Sequence, residues 1–204
     1  MLMKYLSIIF ACCFLAACAS RPKPSISSVD PDLRREAIVQ MSNSSEAAKH
    51  LPVFTEMLQN DQDPLVRAIA ARSLGQHKYQ PAVPALIKTL EDKNAFVRQD
   101  AAMALGQIAD KSALPALLKS LDSDTYADVR RTIAQALRPP FISEPDLAVV
   151  NGLLERFNDV SKGVGFAAFQ SLQQVTRQNL PFDVKEWEKW RDAEMKPQIS
   201  TDKN

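Results

Sequence analysis

Two stretches of the chain become nearly identical when one is slid by 31 residues along the other. Val66-Arg67, Ala70-Ala71 and Leu74-Gly75-Gln76 return as Val97-Arg98, Ala101-Ala102 and Leu105-Gly106-Gln107. The next segment does the same, with Pro84-Ala85-Leu86 and Leu90 returning as Pro115-Ala116-Leu117 and Leu121. A unit this short cannot bury its apolar face alone, so a repeat of this length predicts a stacked helical array in which each unit needs its neighbours. Surfaces of that kind favour binding over catalysis.

Each unit reads as two helices joined by a tight turn. Asp63-Pro64 opens one, because Asp caps a helix N-terminus and Pro suits the first helical position. Asp30-Pro31 repeats the device 33 residues earlier. Leu65, Ile69 and Leu74 lie on or near one face, and Ala70-Ala71 lets a neighbouring helix come close. Gly75 and Gly106 fall near helix ends, where a left-handed residue is often needed. Pro81 or Pro84 starts the second helix, with Val83, Leu86, Ile87 and Leu90 on its buried stripe.

The runs Asp61 to Gly75 and Asp92 to Gly106 resemble HEAT repeats of the short type found in phycobilisome lyases. Three more divergent units flank them. Leu33-Arg34 with Ala37 and Met41 begins the first. Val129-Arg130 with Ile133, Ala134 and Leu137 begins the fourth. Val164, Ala168 and Leu172 begin a fifth, in which Gly165 stands in the arginine position. The resemblance implies an all-α, right-handed α-solenoid of about five helical hairpins over residues 30–193. Arg34, Arg67, Arg98 and Arg130 recur at equivalent positions, and Asp61, Asp92 and Asp124 each precede an arginine by six residues. In HEAT proteins such pairs form an internal ladder, so these residues are expected to serve the stack and not an active site. The bilin lyases that share this repeat keep a second expectation open, that of a lyase-like or ligand-carrying enzyme.

The last unit differs in composition. Phe166, Phe169, Phe182, Trp187 and Trp190 concentrate there, and Pro181-Phe182-Asp183 starts the final helix. Trp187 and Trp190 are three apart, so both can fold back on one face and close the apolar stack. The ending also looks like the closing helix of bacterial HEAT-type envelope proteins.

The N-terminus sets the expected address. Lys4 precedes a largely apolar run from Tyr5 to Ala17, too short for a bilayer span of about 20 residues but suited to a secretory leader. Leu15-Ala16-Ala17-Cys18 resembles the lipobox of bacterial lipoproteins. That likeness implies a signal peptide over 1–17, lipidation of Cys18 and anchoring by more than one acyl chain, the condition for stable attachment. Ala19 and Ser20 follow the cysteine, which under the Gram-negative sorting rule implies the outer membrane, facing the periplasm. Residues 18–29 are expected to form a flexible Pro/Ser tether and 194–204 a disordered tail.

Cys12, Cys13 and Cys18 are the only cysteines, so a chain cut before Cys18 has no disulfide framework, zinc site or thiol nucleophile to offer. The full chain carries 25 Lys+Arg against 24 Asp+Glu, and removing 1–17 removes only Lys4, leaving 24 against 24. A neutral body gives no electrostatic case for nucleic acid. His50 and His77 lack the following Glu that iron-binding HEAT hydroxylases such as deoxyhypusine hydroxylase require, and both read as solvated turn residues. Gly163-Val164-Gly165 lacks the strand and lysine of a phosphate loop, and the serines at 25–28 and 42–45 have no histidine partner. No catalytic residue, metal, cofactor or small-molecule substrate is assigned. Glu56, Lys88 and Lys119 fall at equivalent positions of successive second helices, with Gly152 next in the row and Arg156 one turn on. They are the candidate contacts for a protein or peptide partner with an acidic segment.

Overall fold

The computed structural model describes residues 22–195. Among them are ten α-helices and no strand. The helices are α1 (Pro31–Ser42), α2 (Ala47–Asn60), α3 (Pro64–Gln76), α4 (Val83–Thr89), α5 (Ala95–Ile108), α6 (Leu114–Ser123), α7 (Ala127–Ala136), α8 (Leu147–Glu155), α9 (Lys162–Thr176) and α10 (Val184–Glu194). They pair into five hairpins. The first helices α1, α3, α5, α7 and α9 pack one against the next as a layer, and the second helices lie beside them, α2 on α4, α6 on α8 and α8 on α10. The fold is a HEAT-like α-solenoid.

Local chemistry explains the boundaries. Asp30 accepts from the Asp32 N–H, and Asp63 accepts from the N–H groups of Leu65 and Val66, each just ahead of a proline at the helix start. Asn94 and Asp146 cap α5 and α8 in the same way. One continuous apolar core runs from Ile38 in α1 to Trp187 in α10, with Phe54, Leu74, Leu86, Leu105, Leu117 and Ile133 fully buried along it.

The glycines correct one expectation. No glycine has a positive φ; Lys78, Ala109 and Arg177 take the left-handed positions at helix ends. Gly75 and Gly106 sit inside helices. A Cβ on Gly75 would lie 2.6 Å from the Ala104 Cα, and one on Gly106 would lie 2.7 Å from the Ala136 Cβ. The missing side chain lets consecutive first helices touch backbone to backbone near their C-terminal ends.

At the N-terminal side, the segment expected to be a tether is docked over its second half. Ile26 packs on the core, and the Ser28 and Val29 carbonyls both accept from Arg34 Nη1 at 2.9 Å. Cys18, the leader and residues 196–204 lie outside the described residues. At the other end Trp187 is fully buried, its Nε1 donating to the Pro181 carbonyl at 2.8 Å. Around it, Phe169 meets Trp187 and Phe182 edge-on at 6.4 and 5.2 Å, and Phe157 stacks on Phe182 at 4.9 Å. Trp190 meets Trp187 edge-on at 5.9 Å.

Candidate binding surfaces

Four Arg–Asp rungs run through the inter-unit turns. Arg34 grips Asp61 through Nε and Nη2, both at 2.8 Å, and Arg67 grips Asp92 at 2.8 and 2.9 Å. Arg98 grips Asp124 at 2.7 and 2.9 Å, and Arg130 grips Asp159 at 2.8 and 2.7 Å. The third guanidinium nitrogen reaches back within its own unit, Arg67 to the Asp61 carbonyl at 2.8 Å, Arg98 to that of Asp92 at 2.9 Å and Arg130 to that of Asp124 at 2.7 Å. Asp61, Asp92 and Asp124 therefore each accept from the preceding unit with the carboxylate and from their own unit with the carbonyl. Bidentate, charge-assisted geometry of this kind consumes both partners. Asp159 belongs to the ladder although its spacing does not announce it, because Gly165 stands six residues on instead of an arginine.

The carboxylates also tie down the next helix. Asp61, Asp92, Asp124 and Asp159 accept from the N–H of Asp63, Asn94, Tyr126 and Ser161 at 2.8–2.9 Å. Burial raises the Asp61, Asp92 and Asp124 carboxyls, but the facing guanidinium and these N–H groups outweigh it and hold all three below the usual carboxylate range. In Asp159 the Arg130 hydrogen bond is itself the largest influence, again downward. Asp100, buried on α5, behaves in the opposite way. Burial pushes it up more than the Arg72 guanidinium, at 2.9–3.0 Å, pulls it down.

On the second-helix layer, Glu56, Lys88 and Lys119 are all exposed, on α2, α4 and α6. Lys119 Nζ pairs with Glu91 at 2.9 Å, an exposed contact of small worth. Shallow grooves of about 290 and 360 Å3 flank this row, one beside Lys88 and the other beside Lys119, with Glu91 and Asp92 in both. The row is thus mixed in sign. Arg156 does not extend it freely: it folds onto the end of α6, reaching the Leu121 and Asp122 carbonyls at 3.4 and 3.3 Å and the Asp122 carboxylate at 3.2 Å.

On the first-helix layer a cleft of about 540 Å3 opens between α5 and α7. It exists because α7 is short. Helix α5 runs to Ile108, ten residues past Arg98, whereas α7 stops at Ala136, six past Arg130. The cause is legible once the units are aligned on their arginines. Leu74-Gly75-Gln76 and Leu105-Gly106-Gln107 become Leu137-Arg138-Pro139, followed by Pro140. Proline cannot continue a helix, and it disfavours the helical conformation in the residue before it. Phe141 and Ile142, both buried, refill the core side of the lost turn, and the outer side stays open. Its lining includes Gln99, Gln107, Arg131, Gln135 and Arg138 and no carboxylate.

The histidines are structural in different ways. His77 Nε2 lies 2.9 Å from the Ser42 carbonyl, stapling the first two units at their turns. His50 is not in a turn: it lies in α2, its ring stacked on Phe54 at 6.5 Å. Among the described residues, no group of three or more His, Cys, Asp or Glu side chains is placed to hold a metal, and no helix is long and apolar enough to cross a membrane.

Residues 51–138 match the family model for HEAT repeats. Solved structures share the fold, three of them as follows. The first is the complex of CpcE and CpcF of phycocyanin lyase from Nostoc sp. PCC7120, with a TM-score of 0.61 at 23% identity, covering 79% of this chain and 68% of that one. The others are two engineered proteins, each 24% identical over 74% of this chain. Their TM-scores are 0.54 and 0.53, and the match covers 76% and 46% of their own lengths. At these identities the likeness speaks for the fold. No curated protein matches the sequence. The stack of hairpins, the HEAT-repeat model matched over residues 51–138 and these neighbours together give the chain the fold of a HEAT-like α-solenoid.

Proposed function

We propose that this protein is a non-catalytic adaptor of the bacterial envelope, anchored by lipid on Cys18 at the outer membrane, that holds a protein partner against the side of its solenoid. The observation that carries this reading is the division of charge. Every recurring arginine, from partly buried Arg34 to buried Arg130, is closed on an aspartate of the next unit, so recurrence serves the stack. What remains for recognition is extended: exposed side chains such as Glu56, Lys88 and Lys119, one per unit along consecutive second helices. An extended array of this kind suits a protein or peptide. Affinity capture with the full-length protein in detergent tests it. A specific partner should be recovered, and Lys88→Glu combined with Lys119→Glu should release it. A partner unmoved by that pair of reversals would put recognition elsewhere on the surface. Mass spectrometry of the mature N-terminus tests the anchor, with an unmodified Cys18 as the contrary result.

A second reading has one observation in its favour, the likeness to a phycocyanin lyase structure. On that reading the solenoid carries a small ligand. It predicts a coloured or ligand-bearing preparation, and absorbance together with native mass spectrometry decides the matter.

A further inference from the structure

We propose that the cleft between α5 and α7 is a second recognition site, on the layer opposite Lys88 and Lys119, and that it binds an extended acidic segment of a partner protein. The cleft measures about 540 Å3, within the ~300–1,000 Å3 typical of ligand sites. Its position is the reason to single it out. It lies where the repeat is broken, at Arg138 and Pro139 in place of the glycine and glutamine of the preceding units. A feature that every unit shared would serve the stack; this one occurs at a single unit and opens outward.

The chemistry of the lining selects the ligand. Arg131 and Arg138 face the cleft with no carboxylate among its walls. Arg138 has no ion-pair partner among the described residues, and Arg131 meets only Asp128, three residues away and largely exposed. An exposed pair of that kind is weak and yields readily to a better-placed ligand carboxylate. Gln99, Gln107 and Gln135 supply carboxamides, which donate and accept and so match both edges of an extended backbone. The Gln107 carboxamide makes no hydrogen bond within the fold, and its buried Oε1, packed against Gly75, has no partner, so turning it towards a peptide N–H breaks no hydrogen bond. Gln99 also borders a second groove of about 290 Å3, where Leu65, Ile69 and Phe96 lie beside Arg35 and the Arg72–Asp100 ion pair. Leu65 and Phe96 are 46% and 66% exposed. The two grooves share a wall, so an occupant that places carboxylates at Arg131 and Arg138 can lay an apolar side chain against Phe96. A chain alternating acidic and apolar residues has that pattern. A flat membrane surface does not fit as well, because the carboxamides are set inside a concave opening.

The test is fluorescence anisotropy on the full-length protein in nanodiscs, with empty nanodiscs as blank. The probes are a fluorescein-labelled peptide of alternating Glu and Leu and its counterpart with Gln in place of Glu. The acidic peptide should bind about tenfold more tightly than the neutral one, with the margin shrinking as salt is raised. Arg131→Glu with Arg138→Glu should lower its affinity by about tenfold or more. Gln135→Trp, which fills the opening without touching its charge, should do the same. Lys88→Glu with Lys119→Glu should leave it unchanged, so this site and the second-helix face stand or fall separately. Equal affinity for the two peptides overturns the proposal, as does full affinity in the double arginine reversal. Inorganic phosphate that displaces the acidic peptide at low millimolar concentration would identify a simple anion site and also overturn it. So would arginine-dependent binding of phosphatidylglycerol vesicles in the absence of peptide binding.

Discussion

In the second and third units, Arg67 and Arg98 reach forward into the turn that opens the next unit; in the fifth, Gly165 occupies the same place and a turn moves in against it. A Cβ at Gly165 would lie 2.9 Å from the Phe157 carbonyl oxygen and 3.2 Å from that of Arg156. The same seam is thus closed by charge in the middle of the stack and by backbone contact at its end. Position in the stack accounts for the difference. An interior arginine always has an aspartate of the next unit to receive it, whereas an arginine at residue 165 would face no further unit and would be a partly buried charge without its rung. The last hairpin instead closes with rings: Trp187 beneath Phe169, with Phe157 and Phe182 stacked beside them. The interior is specified by polar geometry and the terminus by apolar area.

The largest effect is expected at the apolar end. Trp187→Ala removes a fully buried indole and the hydrogen bond to Pro181, and should destabilise by about 4 kcal/mol in equilibrium urea unfolding. Because it lies at the end of a quasi-linear stack, the loss should fall mainly on the fifth unit. Hydrogen exchange should show α9 and α10 opening while α3 and α5 stay protected. Uniform loss of protection along the chain would mean that end and middle are one cooperative block.

Arg98→Ala should cost about 3 kcal/mol, mostly by stranding the Asp124 carboxylate, whose side chain is 4% exposed. Adding Asp124→Ala should restore part of that loss, and a double-mutant cycle measures it. The ladder also gives acid its point of attack. Its carboxyls are held below the ordinary value of about 3.9, so their contribution is complete above that pH and is lost as pH falls through the lower folded-state values. The single mutant should show a shallower acid limb than the parent. An unchanged limb would mean that the rungs do not carry the acid sensitivity.

Much of this architecture is legible in the chain itself, because a recurrence every 31–33 residues reports on packing directly. Four arginines and three of the four ladder aspartates stand at fixed offsets; Asp159 escapes the rule because the residue six positions on is Gly165. Gly75 is misread for a related reason. A glycine near a helix end signals either a left-handed turn or a close neighbour, and only the 2.6 Å approach of Ala104 separates the two. The cleft is missed because it is an interruption. Periodicity finds what repeats, and Arg138-Pro139-Pro140 matters for what it fails to repeat.

Gly165→Arg puts the contrast to a direct test by writing the interior solution into the end. If charge alone decided the seam, the new arginine would be tolerated. The carbonyls of Arg156 and Phe157 stand too close to its Cβ, so the variant should instead lose about 2 kcal/mol, within the range for overpacking. Gly165→Ala isolates the Cβ and should account for much of that loss in the same thermal or urea measurement. Full stability in the arginine variant would show that the turn at Arg156–Asn158 yields easily, and that the terminal unit is not built around the glycine.

The smallest effect is expected at Asp100, the one buried carboxylate on α5 that does not join the ladder. Its pKa is raised in the fold, since burial outweighs Arg72, which is itself half-exposed. The sign is therefore opposite to that of the ladder. Asp100 favours the folded state when protonated, and that contribution is complete below about 3.9 and fades as pH rises through the higher folded value. Asp100→Asn keeps the shape and removes the charge, so it should raise Tm slightly at about pH 7 and leave it unchanged at about pH 3. Replacing Asp124 in the same manner should lower Tm at about pH 7, because there the guanidinium wins over burial. Two buried aspartates facing two arginines would then differ in sign for one reason. Asp124 meets Arg98 through two nitrogens and also takes the Tyr126 N–H, whereas Asp100 has only the single Nη2 of Arg72 to offset the loss of water.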